Sequence, residues 1–300
     1  MKKIILFLFI NYSLNLFCQQ RLNLDNLASK YTLSSFEGFK ELLSIPNDAN
    51  NKIGIQKNIA WAEKEFGKRG FNVSKIMTKG APLLLAKRDF DSKGKTVLIY
   101  LQMDGQPVDP SKWSQENPYS PVLKKKSSSG DWEAINWQKI YDYNDDWRIF
   151  ARSSSDAKGP VSMFIAAIDA IDENGITPNF NIKVILDFEE EMGSPNLPDA
   201  VKKNGELLTS DVLIILDGPR HRLNKPTLTF GARGIATIQL TTYGPIVPQH
   251  SGHFGNYVPN PALRLSKILA SMKDANGKVT IEGYYDGIEI TPDVKKILDS

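Results

Sequence analysis

The sequence predicts an α/β protein: a mostly parallel sheet sandwiched by helices, with the start of a smaller α+β unit after it. Two observations carry this prediction. Short apolar runs rich in Val, Ile and Leu alternate with amphipathic helical stretches, and continuous apolar strands are those covered on both faces by helices. After about Leu223 the composition changes to alternating residues enriched in threonine.

The chain opens with "MKKIILFLFINYSLNLFCQQ". Two lysines, a run dominated by Ile, Leu and Phe, and a break to polar residues are the layout of a secretory signal peptide, assigned to residues 1–20. Asn11, Ser13 and Asn15 interrupt an apolar core that is too short and too polar for a membrane span. Cleavage is expected near Cys18 to Gln20. A lipid anchor at Cys18 is disfavoured, because Asn15-Leu16-Phe17 lacks the small residues such a site needs. Cys18 is the sole cysteine, so the exported chain has neither a disulfide nor a thiolate ligand.

In "NKIGIQKNIAWAEKEFGKRG", Ile55, Ile59, Ala62 and Phe66 share one helical face, and Gly70 is placed to end the helix. "APLLLAKRD" and "TVLIYLQMD" follow as strands. "PSKWSQENPYSPVLKKKSSSGDWEAINW", rich in Lys, Ser and Pro and holding Trp113 and Trp132, reads as loops over a cleft. From Lys158 a helix carries Val161, Phe164, Ile168 and Ile171 on one stripe and closes at Asn174-Gly175. "NIKVILDF" and "DVLIILD" are two more strands. "PTLTFGARGIATIQLTTYGP" reads as a strand region, and "NPALRLSKILASM" as a helix with Leu265, Leu269 and Met272 on one stripe.

Composition removes some function classes. At 300 residues, 41% hydrophobic and 24% charged, this is an ordinary globular composition. A net charge of +3 and the lack of a basic run with interleaved aromatics set nucleic-acid binding aside.

The charge that remains is concentrated. Three predicted strands end in acid: at Asp104, at Glu189-Glu190-Glu191 in "VILDFEEEMGSPN", and at Asp217. "RSSSDAKGP" adds Asp156 at the start of a helix. In open α/β sheets the ligand site lies beyond the carboxyl ends of the strands, so these acids can meet there. Crowded carboxylates repel one another and resist desolvation unless a cation sits among them. Two divalent cations sharing a bridging carboxylate generate a nucleophile at neutral pH and polarise a carbonyl.

The ordered set "LQMDGQPVDPSKW", "RSSSDAKGP", "EEEMGSPNL", "LDGPR", "GARGI" and "HSGHFGNYVPNPALRLSKILASM" resembles the zinc-dependent dipeptidases and carboxypeptidases of the M20 class. That class also contains carnosine dipeptidase-like enzymes and N-acyl amino acid deacylases. The resemblance implies a metallopeptidase catalytic domain over residues 21–226 and a lid and dimerisation domain over 227–300, both incomplete. It implies two divalent metal ions, zinc by default, and a homodimer formed through the lid domain.

Position by position, the resemblance makes Asp156 the bridging carboxylate, Glu191 a ligand of one metal and Asp217 a ligand of the other. Glu190 is the general base, and Asp104 orients the metal-binding residue two positions before it. That residue is Gln102, where the family has histidine; an amide oxygen is neutral and holds zinc less tightly than imidazole. His250 corresponds to a residue that reaches from the small domain, across a dimer interface, to stabilise the oxyanion. His253 reads as its packing neighbour and His221 as a loop residue. Arg152 and Lys158, beside Asp156, are explained by substrate contact or by pairing with local carboxylates. The family's last metal-binding histidine follows the small domain, beyond Ser300, so the chain is expected to be a truncated product or fragment with poor activity by itself.

The function expected is that of an exported peptidase hydrolysing dipeptides or C-terminal residues through a metal-bound hydroxide, with a small peptide as partner. Two alternatives stand beside it: an N-acyl amino acid deacylase, and a catalytically impaired binding protein on the same scaffold, for which Gln102 and the missing C-terminal histidine are the sequence support.

Overall fold

A computed structural model describes residues 23–91, 93–218, 221, 225, 227, 229 and 234–299. The proposed signal peptide lies outside the described residues. The chain divides into two compact units, one running to Leu228 and the other from Thr229 to Ser300.

The first unit begins with helix α1 (Leu24–Leu43), which Asn23 caps by accepting from the Asn26 amide at 3.1 Å. Helix α2 (Lys52–Lys68) follows, capped in the same way by Asn51. The chain then reverses at Gly70, whose φ of 73° lies in the left-handed region open to glycine.

Five strands form the central sheet: β1 (Asn72–Ile76), β2 (Leu83–Arg88), β3 (Lys95–Gln102), β7 (Phe180–Asp187) and β8 (Val212–Ile215). Their order is β1-β2-β7-β3-β8. Strand β3 pairs parallel with both β7 and β8, while β2 is antiparallel to its neighbours β1 and β7. All the strands except β2 therefore run in one direction, as a mostly parallel sheet should.

Helix α3 (Lys158–Glu173) packs with α2 on one face of this sheet. Ile55, Ile59 and Phe66 from α2 and Val161, Phe164 and Ile168 from α3 meet Leu84, Leu101, Val184 and Leu186 in the main core. Continuous Val/Ile/Leu strands form this layer because both of their faces are hidden. On the opposite face, α4 (Leu197–Lys203) and α5 (Gly205–Leu208) set Ala200 and Leu208 against Leu83, Leu85 and Ile185.

Two sequence expectations are corrected in this unit. The run "DVLIILD" was expected to be covered on both faces, yet Val212, Leu213, Ile214 and Ile215 are 47%, 56%, 41% and 57% exposed. The reason is position: β8 is the edge strand, bonded to β3 alone, and the helices of both layers lie over the strands inside it. The insert read as loops instead contributes two strands, β4 (Val122–Lys126) and β5 (Trp132–Ile135), to a three-stranded antiparallel sheet that β6 (Arg148–Phe150) completes, in the order β5-β4-β6. Its lysines are spent locally, Lys124 over the Phe150 ring and Lys126 over the Trp132 ring.

The second unit contains helices α6 (Ser251–Phe254), α7 (Pro261–Ser271) and α8 (Pro292–Leu298). Helix α7 is the one expected from "NPALRLSKILASM", with Asn260 as its cap and Pro261 at its first position. Of the strand region expected before it, residues 226, 228 and 230–233 lie outside the described residues, and residues 234–245 take no strand conformation. A strand persists when a neighbour pairs its amides and carbonyls, and no described strand stands in this unit to do so.

Candidate metal centre

The parallel register brings three strand ends to one level. Gln102 lies opposite Asp187 across the β3–β7 pair, and Ile215 lies opposite Tyr100 across β3–β8. The Leu216 amide donates to the Tyr100 carbonyl at 3.2 Å, so the ladder continues and Asp217 falls level with Gln102. Asp187, Gln102 and Asp217 thus form a row across adjacent strands, a consequence of backbone pairing alone.

Asp104 follows two residues beyond β3, and its side chain is 1% exposed. One carboxylate oxygen accepts from the Glu191 amide at 3.0 Å, and the other has no partner among the described residues. Burial pushes its pKa up to about 7, against the Glu191 amide and aided by the charge of Asp187. From the ordinary value of 3.8 this corresponds to about 4 kcal/mol in favour of the neutral form.

The three glutamates at the end of β7 divide their work. Glu189 is buried and accepts from the Ala81 amide at 3.0 Å and the Asn196 amide group at 2.7 Å. It is an anchor, holding the Thr78–Ala81 loop against the turn. Glu190 and Glu191 lie in a single 3-10 turn, Glu190–Met192, closed by Gly193 at φ 82°. Both are half-buried, and Glu191 accepts from the Gln106 side chain at 3.0 Å. Burial raises the pKa of Glu190, and the charges of Asp217, Glu191, Asp156 and Asp187 raise it further.

The anchor yields a stability prediction. A Cβ added at Gly80 would overlap the Glu189 carboxylate and the Asn196 amide. Gly80→Ala is therefore expected to break one of the Glu189 hydrogen bonds and lower stability by about 1–2 kcal/mol. A denaturant titration with unchanged midpoint would show that the loop is not held by Glu189.

Asp156 is exposed at the start of α3, between Ser153 and Lys158. Buried Asn47 sets this loop relative to β3. Its side-chain amide nitrogen donates to the Met103 carbonyl and to the Ser153 hydroxyl, both at 3.0 Å, and its main-chain carbonyl accepts from the Gly105 amide at 2.8 Å. Lys158 is fully buried and donates to the carbonyls of Leu42 at 2.8 Å and Ile45 at 2.6 Å. Local carboxylates do not pair with it. Its pKa falls to about 7, through burial.

Neither Asn47 nor Asp187 stood out in the sequence. Asp187 accepts from the hydroxyls of Tyr100 at 2.9 Å and Ser194 at 2.7 Å and from the Glu189 amide at 3.0 Å, and so fixes the glutamate turn to the sheet. The signal for Asp187 was present, an acid ending an apolar strand, but the glutamates after it drew the eye. Asn47, in an ordinary loop, carried no signal.

His250 belongs to the second unit. It caps α6 by accepting from the Gly252 amide at 3.0 Å, and its ring meets that of His253 edge-on at 4.8 Å.

The chemistry of these donors fits a divalent cation. Gln102 is 3% exposed with its amide oxygen unpartnered among the described residues, as is one oxygen of Asp104. Buried acceptors left unpaired are costly, and a cation satisfies them. Gln102, Asp156, Glu191 and Asp217 are the residues that could hold it. Among the described residues no three acid, histidine or cysteine side chains are drawn into a chelating group; the shared sheet edge gathers them, and their mutual repulsion is registered at Glu190.

Similarity to known proteins assigns the family. The profile of peptidase family M20/M25/M40 matches residues 98–292, well over half of the chain. Cys-Gly metallodipeptidase dug1 of Schizosaccharomyces pombe is 31% identical over 223 residues, 73% of this chain and 42% of its own length. The human Beta-Ala-His dipeptidase is 29% identical over 213 residues, 70% of this chain and 38% of its own. The chain thus spans less than half the length of these curated relatives. The crystal structure of an M20 family metallo-carboxypeptidase, Sso-CP2 from Sulfolobus solfataricus, superposes with a TM-score of 0.66 at 28% identity, covering 88% of this chain and 56% of that one. With acids at the ends of parallel strands and matches that span both units, the chain belongs to peptidase family M20/M25/M40.

Proposed function

We propose that the protein is an exported, metal-dependent peptidase that hydrolyses dipeptides or C-terminal residues. The observation that carries this is geometric: Asp187, Gln102 and Asp217 lie level across three adjacent parallel strands, and the turn that holds half-buried Glu190 and Glu191 follows the strand that ends in Asp187. A positioned carboxylate beside such a row can serve as a general base. When bound, two divalent cations supply an acidified water and a polarised carbonyl.

The chain's own residues would then act as follows. Glu190 takes the proton from the attacking water and returns it to the leaving amine nitrogen. Asp104 positions the turn through the Glu191 amide. Asp156, Glu191, Asp217 and Gln102 hold the cations, and His250, from a second copy of the chain, donates to the carbonyl oxygen as it gains charge. Export rests on residues 1–20, and among the described residues no helix is long and apolar enough to cross a membrane.

Gln102 favours a second reading, a relative that binds peptide with impaired catalysis; an N-acyl amino acid substrate is a third. The deciding experiment is chelation of the protein as its host makes it, assayed on a panel including Cys-Gly, β-Ala-His and N-acyl amino acids. Hydrolysis of a dipeptide that is lost on chelation and restored by a divalent cation is expected. Peptide binding with no metal-dependent turnover would sink the peptidase reading.

A further inference from the structure

Among the described residues up to Gly218, every donor at the strand ends of the first unit is an oxygen. The row Asp187, Gln102, Asp217 offers two carboxylates and an amide, Glu190 and Glu191 add carboxylates from the turn that follows β7, and Asp156 adds one from the start of α3. The three histidines of the chain are His221, His250 and His253, and the one cysteine is Cys18. Residues 23–220 therefore contain neither imidazole nor thiolate. Within the row, Asp187 is occupied by Tyr100, Ser194 and the Glu189 amide, so Gln102 supplies the buried, unpartnered acceptor.

Resting on the metallopeptidase reading above, we propose that the cation position beside Gln102 is built for an oxygen-seeking divalent ion of the Mn2+ class and holds zinc only weakly. Carboxylate and carbonyl donors suit Mg2+, Ca2+ and Mn2+, whereas imidazole and thiolate suit zinc. Zinc outranks Mn2+ in raw affinity at most mixed sites. The signature is accordingly a narrow gap between the two ions, which one imidazole would widen.

The test uses the full chain, stripped of metal, with Mn2+ followed by loss of the free-ion EPR signal and Zn2+ by calorimetry. Gln102→His is expected to tighten Zn2+ by about tenfold or more and Mn2+ by no more than roughly threefold. Gln102→Ala, which needs no room for a ring, is expected to weaken Mn2+ by about fivefold or more. A Zn2+ to Mn2+ ratio unchanged by the histidine, or Mn2+ affinity unchanged by the alanine, overturns the proposal. Failure of all three proteins to bind either ion overturns the metallopeptidase reading along with it.

Discussion

Glu190→Gln is expected to lower the hydrolytic rate of the protein by about 10²–10⁴-fold, the usual contribution of a positioned general base. The amide is nearly isosteric and cannot take a proton, so the loss should fall on kcat, with KM little changed. Cation binding should survive, since Glu191, Asp156 and Asp217 are untouched and one repelling charge has been removed. The neighbouring variant Glu189→Gln supplies the contrast. Its side chain ties Ala81 and Asn196 together, so it should lower the unfolding midpoint more than it lowers kcat in the protein that remains folded. Full activity in Glu190→Gln, measured with bound metal confirmed, would remove Glu190 from the mechanism.

That division among adjacent glutamates was not legible in the sequence. Each looks alike there; what separates them is a loop more than a hundred residues earlier, which meets Glu189 at Ala81. The parts that were legible rest on local periodicity. Helices α2 and α3 and strands β3 and β7 carry continuous or one-sided apolar patterns, and the structure uses those residues as its core. The acids at strand ends were legible because a parallel sheet turns similar strand endings into neighbours. Helix α1 was not anticipated, although it buries Tyr31, Phe39, Leu42 and Leu43. The β4–β6 sheet was hidden by its polar composition: its order comes from main-chain pairing and from lysine stems laid on aromatic rings. The strand expectation near residue 240 failed for the converse reason, since alternation without a paired neighbour makes no ladder.

Lys158→Met is expected to destabilise the chain by roughly 2–4 kcal/mol. Two effects compete at this site. Removing a buried ammonium that lacks an anionic partner is favourable, as its pKa near 7 indicates. Against this, its hydrogen-bond partners are backbone carbonyls at the end of α1, which no substitution can delete. The Leu42 carbonyl keeps another donor in the Ile45 amide at 3.2 Å, whereas Lys158 is the donor to the Ile45 carbonyl. Replacing a buried pair in full can be neutral, but removing one member leaves the other unsatisfied, so the loss should prevail. The same ammonium ties the start of α3 to the segment carrying Asn47, and Asp156 lies two residues before it. Lys158→Met should therefore weaken Mn2+ binding as well as lower the urea midpoint, whereas a lysine that served packing alone would move the midpoint and leave the folded protein's metal affinity unchanged.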